Sequence, residues 1–202
     1  MLNAVVVDNG IHGLERMFRS GAPVRYRFER VGAAFAPDLS DADLLIVPNG
    51  SDHVAMYRAR NAVRAFLERG GALFCFDGWF TDWVPGNRWV MDNSRATRDV
   101  RYSVRTDRHG LFNGVAIESL VRSHGISGWW ACGLIELASG ADVVMEDTWG
   151  RAMIVVDRVS TPGTLILTAS GPLGDVGFDG TFGDLSRLYH NMLGLVSERG
   201  AQ

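Results

Sequence analysis

The 202-residue sequence contains no lysine, so all 20 of its basic residues are arginines. Without a lysine amine the chain cannot form a Schiff base with a carbonyl substrate, which excludes that class of covalent catalysis. Cysteine is also scarce: Cys75 and Cys132 are far apart, and their spacing matches no metal-binding pattern. Free thiols and an N-terminal run unlike a signal peptide together predict a cytoplasmic protein.

Long runs of like charge and long apolar stretches are missing too. The formal net charge is −3, no run of five like charges occurs, and no stretch approaches eighteen apolar residues. A hydrophobic content of 47% with 21% charged residues is ordinary for a globular protein. We therefore expect neither nucleic acid nor a membrane as a partner.

Short apolar runs alternate with amphipathic stretches along the first part of the chain. The runs predict strands at 2–7, 24–30, 44–47 and 72–76, and the alternating pattern of the second is typical of a strand near a sheet edge. The stretches between them predict a short helix at 14–19 and a longer helix at 54–69, which ends at two glycines.

The rest of the chain is less regular and begins with an aromatic segment at about 79–100, which we predict to be a loop excursion. Residues 100–105, 115–122 and 133–138 are compatible with strands or with short helices. Later β-rich runs predict strands at 143–145, 152–156 and 164–168, and apolar residues at helical spacing predict a closing helix at 185–196.

This alternation predicts an α/β fold: three α/β/α layers around a doubly wound, mostly parallel, flavodoxin-like sheet, in one domain over residues 1–202. In such sheets, ligands bind beyond the carboxyl ends of the strands. That rule, together with a histidine in a glycine-rich loop, gives the candidate site residues, which are Asp8, His12, Asn49, Asp52, His53, Asp77, His124 and Ser170. A small-molecule ligand is the partner expected there.

Two of these residues are the candidate catalytic groups. Asp77 follows a predicted strand, and its carboxylate would either act on a ligand or accept backbone N–H groups in an Asp-Gly turn. The positive end of the helix dipole would keep His53 neutral, so that it could serve as a base or a ligand; the alternative is an exposed surface histidine. Asp52 or Ser51 is predicted to cap the same helix.

The tryptophans of the aromatic segment have three possible roles. Trp79, Trp83 and Trp89 would form a lid that stacks on a sugar, a satellite core beneath a long loop, or a contact between the subunits of a dimer. The first of these roles makes Trp79 a candidate substrate-binding residue.

Metal binding is the remaining possibility at the strand ends. Carboxylates and histidines are numerous enough there to hold a divalent ion, but they lack the spacing of a metal motif, so no cofactor is expected.

Several stretches carry a resemblance to a known superfamily. LLIVPNGSDH at 44–53 and FLERGGALFCFDGWF at 66–80 resemble the core of the class I glutamine amidotransferase-like superfamily, in which a strand leads to a nucleophile elbow. HGLFNGV at 109–115 and GRAMIVVDRVSTPGTLILTASGP at 150–172 resemble its trehalose-utilisation (ThuA-like) branch and the related middle domain of some β-galactosidases. The resemblance implies the fold given above and carbohydrate-related substrates.

The sequence departs from the amidotransferases where their catalytic residues lie. The resemblance places the elbow apex on Asp77, so that Cys75 falls two positions early, inside the strand. The stretch at 168–174, which would carry the histidine and glutamate of the triad, contains neither, and His190 falls within the closing helix. Because a thiol without a positioned base is poorly activated, we predict no glutaminase activity and a packing role for Cys75.

Two classes of function remain open from the sequence. In the first, the protein is a ThuA-like binding protein or hydrolase for a small, carbohydrate-related molecule, and Asp77 or His53 acts as general base if it is an enzyme. In the second, it is a catalytically silent amidotransferase-like domain that acts in assembly through its aromatic segment, with a homodimer as the expected complex.

Overall fold

The computed structural model describes residues 1–21, 23–76, 78–96, 99–121, 133–169 and 183–197. Ten strands lie in these ranges: β1 (Leu2–Asp8), β2 (Val24–Arg30), β3 (Leu44–Val47), β4 (Ala72–Phe76), β5 (Arg88–Met91), β6 (Tyr102–Val104), β7 (Gly133–Glu136), β8 (Asp142–Asp147), β9 (Ala152–Asp157) and β10 (Thr164–Thr168). The helices are α1 (Leu14–Met17), α2 (His53–Arg58), α3 (Arg60–Glu68), α4 (Ile117–Val121) and α5 (Gly183–Ser197). None of them is long and apolar enough to cross a bilayer.

All ten strands belong to one mixed sheet, which confirms an α/β fold. The order is β2-β1-β3-β4-β10-β9-β7-β5, with β8 paired to β9 and β6 paired to β8. From β2 to β10 the neighbouring strands are parallel, and beyond β10 every pairing is antiparallel. The position of β2 at the end of this order confirms the edge strand that its alternating sequence predicts.

Three of the parallel strands are buried along their whole length. Every residue of β3, β4 and β10 is buried, and these strands match the predicted ranges. Such continuous apolar runs are typical of parallel strands that bury side chains on both faces. The closing helix is also confirmed, since α5 turns toward the core a set of side chains at helical spacing, namely Leu188, Tyr189, Met192, Leu193, Leu195 and Val196.

The predicted helix at 54–69 is divided in two. Helices α2 and α3 meet at Ala59, whose φ and ψ are −80° and −1°. Helix α3 ends at Glu68, and the chain turns at Gly70, which has a φ of +88° and donates its N–H to the carbonyl of Leu67 at 2.9 Å. The glycine signal therefore marks the helix end correctly, as its freedom to adopt positive φ predicts.

The aromatic segment contains a strand, which corrects its prediction as a loop. Strand β5 pairs antiparallel with β7, and its Trp89 indole lies flat against two glycines. A methyl group would come within 2.3 Å of the ring on Gly78 and within 2.4 Å on Gly133. The indole Nε1 donates to the carbonyl of Ala169, just after β10, at 3.2 Å. Pattern reasoning misses this strand because both glycine contacts are distant in sequence.

A buried carboxylate fixes the start of β5. Asp157, at the end of β9, is fully buried and accepts hydrogen bonds from the Asn87 amide at 2.5 Å and from the backbone N–H groups of Val159 and Ser160 at 2.8 and 3.0 Å. The side-chain oxygen of Asn87 in turn accepts a hydrogen bond from the backbone N–H of Ala138 at 3.0 Å. One carboxylate thus joins the segment before β5 to the β9–β10 turn.

The packing of Trp89 against Gly78 yields a test of the fold. Gly78→Ala should lower the free energy of unfolding by about 2 kcal/mol, because the methyl group overpacks a buried ring. Chemical denaturation measures this loss. Gly32→Ala is the matched control, since no atom lies within 4 Å of the added methyl, and its stability should change by less than about 0.5 kcal/mol. Equal effects of the two substitutions would show that the Trp89 contact does not constrain the fold.

Candidate functional site

Two loops meet where the parallel strands have their C-terminal ends, which we call the carboxyl edge of these strands. The loop after β1 carries Asn9, whose side-chain N–H donates to the carbonyl of Gly50 in the loop after β3. The side-chain oxygen of Asn9 is buried and accepts no hydrogen bond from the part of the chain that the structure describes. The strand ends thus do bring distant polar groups together, as the rule for such sheets predicts, and one acceptor there receives no hydrogen bond from the described residues.

Asp8 is engaged in an ion pair. Its two carboxylate oxygens lie 3.2 and 3.1 Å from Nη1 of Arg30, at the end of the neighbouring strand β2, and one of them also accepts the N–H of Gly10 at 2.8 Å. Gly10 leaves room for the guanidinium, because a side chain there would come within 2.8 Å of it. Asp8 therefore ties two strand ends together, whereas His12 is exposed on the following turn.

Asp52 is the helix cap that the sequence predicts. Its side chain accepts the backbone N–H groups of Val54 and Ala55, both at 3.0 Å, which satisfies two donors of the first turn of α2. Ser51 instead donates its hydroxyl to the carbonyl of Pro48 at 2.6 Å. Asn49, between them and the strand, is half-buried.

His53 is buried, so the surface-histidine alternative is wrong. Only 7% of the residue is exposed, and its Nδ1 lies 3.1 Å from Nε1 of Trp83. An indole N–H can only donate, so Nδ1 must carry the lone pair and the imidazole proton must sit on Nε2. The two rings are close to parallel, at 19° with centroids 6.0 Å apart, because they lie side by side along this in-plane hydrogen bond.

Burial keeps the imidazole neutral. Loss of solvation lowers the pKa of His53 from 6.5 to about 4, and the nearby Asp52 carboxylate opposes the shift without cancelling it. A group with this pKa, whose free lone pair is already engaged by Trp83, is a poor general base near neutral pH. The arrangement instead offers the Nε2 hydrogen as a donor.

The aromatic segment supplies the side chains that cover His53 and also one exposed ring, that of Phe80. Trp79, Trp83 and Trp89 are at most 6% exposed, which favours the satellite-core alternative over a stacking lid, for Trp79 included. Phe80, in contrast, is 65% exposed, with its ring centroid 4.8 Å from that of Trp89 and 6.2 Å from that of His53. Pattern reasoning did not single out Phe80 as a site residue, because the sequence does not show which aromatic side chain of the segment stays exposed.

Three predicted site residues, Asp77, His124 and Ser170, lie outside the described residues, and their roles stay predictions. Cys75 is fully buried in β4, as expected for a packing residue. His190 is exposed on α5, where its Nδ1 donates to the carbonyl of Ser186 at 2.7 Å. Within the described ranges no three potential metal ligands cluster.

Comparisons with known proteins identify the fold and no family. No family model matches the sequence, and no curated protein matches it. Two solved structures of cytoplasmic proteins from Salmonella typhimurium, STM3548 and STM1381, align with TM-scores of 0.63. Their identities to this chain are 12% and 11%, over 96% and 97% of it and over 98% and 99% of their own chains.

A third similar structure is an exo-β-1,4-mannosidase from Opitutaceae bacterium strain TAV5. It aligns with a TM-score of 0.51 and 13% identity, and the match covers 96% of this chain but 34% of the mannosidase. At these identities the similarity establishes a shared fold.

The environment of His53 predicts a pH dependence of stability. Between pH 6.5 and about 4 the unfolded chain binds a proton at His53 that the folded chain does not, so this residue makes stability fall as the pH falls through that window. The loss should reach about 3 kcal/mol, measured by chemical denaturation across the window.

Comparison of two variants separates the contribution of His53 to this pH dependence from the contribution of the carboxylates, which also titrate as the pH falls. His53→Gln should flatten the decline in stability, whereas His12→Gln, which removes an exposed histidine, should leave it unchanged. An unaltered slope in His53→Gln would mean that the imidazole is not held neutral by the fold.

Proposed function

We propose that this protein binds a small, neutral, carbohydrate-related molecule at the carboxyl edge of its parallel strands. The observation that carries the proposal is the exposed ring of Phe80, 6.2 Å from the neutral imidazole of His53. Sugars present an apolar C–H face and a rim of hydroxyl groups. An aromatic face beside uncharged hydrogen-bonding groups suits both of these features.

The polar groups nearby match the rim of a sugar. The Nε2 hydrogen of His53 is a donor, and the buried side-chain oxygen of Asn9 is an acceptor that the described residues leave unused. A ligand hydroxyl both donates and accepts, so it can satisfy groups of either kind. The engagement of Asp8 by Arg30 removes one free charge from the edge, which favours a neutral ligand over a cation.

The proposed layer arrangement, superfamily branch and cellular location rest on resemblance to other proteins. The parallel strands follow the order β2-β1-β3-β4-β10, which is the order of flavodoxin-like sheets and supports the proposal of three α/β/α layers. The mannosidase neighbour supports a carbohydrate-related ligand, and the sequence segments at 109–115 and 150–172 support a place near the ThuA-like branch. The cytoplasmic proteins of Salmonella typhimurium support a cytoplasmic location.

The properties of His53 favour a binding function over a hydrolytic one. With its pKa near 4 and its Nδ1 engaged by Trp83, the imidazole cannot efficiently take a proton from water. If the protein is a hydrolase, Asp77 is the remaining candidate base. Cys75 is enclosed in the sheet, which weighs against glutamine amidotransfer.

The indole N–H of Trp83 gives a direct readout of this site. We expect methyl α-mannoside or trehalose to shift its NMR signal, assigned with Trp83→Phe among the six tryptophans. Phe80→Ala should weaken the binding roughly tenfold by removing the stacking face. Val159→Ala, which truncates a side chain of similar exposure on the β9–β10 turn, is the control and should leave the affinity unchanged. Absence of any shift, or equal losses in both variants, would contradict sugar binding here.

A second candidate function is assembly by a catalytically silent domain. Val54 and Tyr57, on one face of α2, are 54% and 40% exposed, and Phe80 adds a third exposed apolar side chain close to His53. A homodimer of standard size would bury about 1,600 Å² of total surface there.

Sedimentation distinguishes the two candidates. A concentration-dependent dimer that Phe80→Ser dissociates, with no sugar-induced shift, would favour assembly. A monomer at all concentrations would exclude the homodimer.

A further inference from the structure

A cavity lies away from the carboxyl edge. It has a volume of about 330 Å³ and is enclosed by α1, the beginning of β2 and α5. Gly21, Pro23 and Val24 line it where β2 begins, so it opens at the opposite end of that strand from Arg30. Its volume is within the range of small-molecule sites, and it shares no residue with the site around His53.

The charged side chains among the described residues that line the cavity are positive. Arg16 and Arg19 both line it, whereas no aspartate or glutamate is among the described residues that do. Neither arginine forms an ion pair with any described residue. Two guanidinium groups beside a cavity, neither paired by a described residue, favour an anion, and their planar forks match the two oxygens of a carboxylate.

A pair of tyrosines adds a neutral donor. The hydroxyl groups of Tyr26 and Tyr189 lie 2.7 Å apart, and both residues line the cavity. Two hydroxyl groups hold two hydrogens, and their mutual bond uses one, so the pair retains one hydrogen to donate to a ligand. Burial raises the pKa of Tyr26 and, more strongly, that of Tyr189, which keeps both hydroxyl groups protonated.

The remaining lining residues are apolar except for Ser186 and His190 on α5. Met17, Val24, Leu185 and Leu193 contribute side chains, which suits an apolar body rather than a sugar or a free ion. A doubly charged phosphate would lose more solvation on entering such walls than a carboxylate would.

We propose that this cavity binds a small monocarboxylate with an apolar, aromatic-sized body. The carboxylate is held by Arg16 and Arg19, the tyrosine pair donates its free hydroxyl hydrogen to it, and the body lies against Met17, Val24 and Leu193. This site is independent of the sugar site, and neither proposal requires the other.

The test uses 3-phenylpropionate as the probe and 3-phenylpropanol as its uncharged counterpart. The intact protein is labelled with ¹³C in its four tyrosines, and Tyr26→Phe assigns the two signals of the pair. We expect 3-phenylpropionate to shift the signals of Tyr26 and Tyr189 with a Kd of about 1 mM, as for a ligand of about eleven heavy atoms, and the alcohol to bind at least tenfold more weakly.

Substitutions of single arginines test where 3-phenylpropionate binds. Arg16→Gln and Arg19→Gln should each weaken 3-phenylpropionate roughly threefold to tenfold. Arg25→Gln is the matched control: it removes the same charge from an exposed residue of β2 that alternates away from Val24 and Tyr26, and should have no effect.

Four results would overturn the proposal. These are the absence of a shift at the tyrosine pair, equal binding of 3-phenylpropanol, an equal loss in Arg25→Gln, and competition by inorganic phosphate as strong as that by a second carboxylate. The first three would exclude a built carboxylate site, and the last would assign the cavity to phosphate.

Discussion

The close contact of the Trp89 indole with Gly78 and Gly133 is the constraint on which the carboxyl edge depends. The chain leaves the parallel half of the sheet at β4 and must reach β5 at the far edge, beyond β10, β9 and β7. Trp89 fixes this crossing, because its ring fills the space that two side chains would need and its N–H binds the carbonyl after β10. A residue with a Cβ at either glycine would push the segment off the strand ends.

The position of this segment determines the chemistry of His53. Thr81 donates to the His53 carbonyl at 2.6 Å, and Trp83 donates to its imidazole, so the segment covers the first turn of α2. Covering removes water from the ring, which lowers its pKa and selects the Nε2 tautomer. The same covering leaves the ring of Phe80 exposed beside the neutral imidazole of His53.

The candidate site could be predicted only in part. Strand ends and helix-cap chemistry are local, so the sequence is enough to place Asn49, Asp52 and His53 at the same sheet edge as Asp8. The ion pair of Asp8 with Arg30 and the hydrogen bond of His53 with Trp83 span 22 and 30 residues, and no local pattern predicts them. The first contact gives Asp8, a candidate binding residue, a structural role, and the second makes His53, a candidate base, a hydrogen-bond donor.

By itself the sequence determined the parallel half of the sheet and the closing helix. Apolar runs and glycine stops are properties of short stretches, so their consequences follow without knowledge of distant contacts. Only the tertiary structure decided that the tryptophans of the aromatic segment belong to the core and that the segment contains a strand. It also decided that a cavity lies between α1 and α5, lined by two arginines that form no ion pair with the described residues. Burial, tautomer and cavity shape depend on which distant residues meet, and that information is spread over the whole chain.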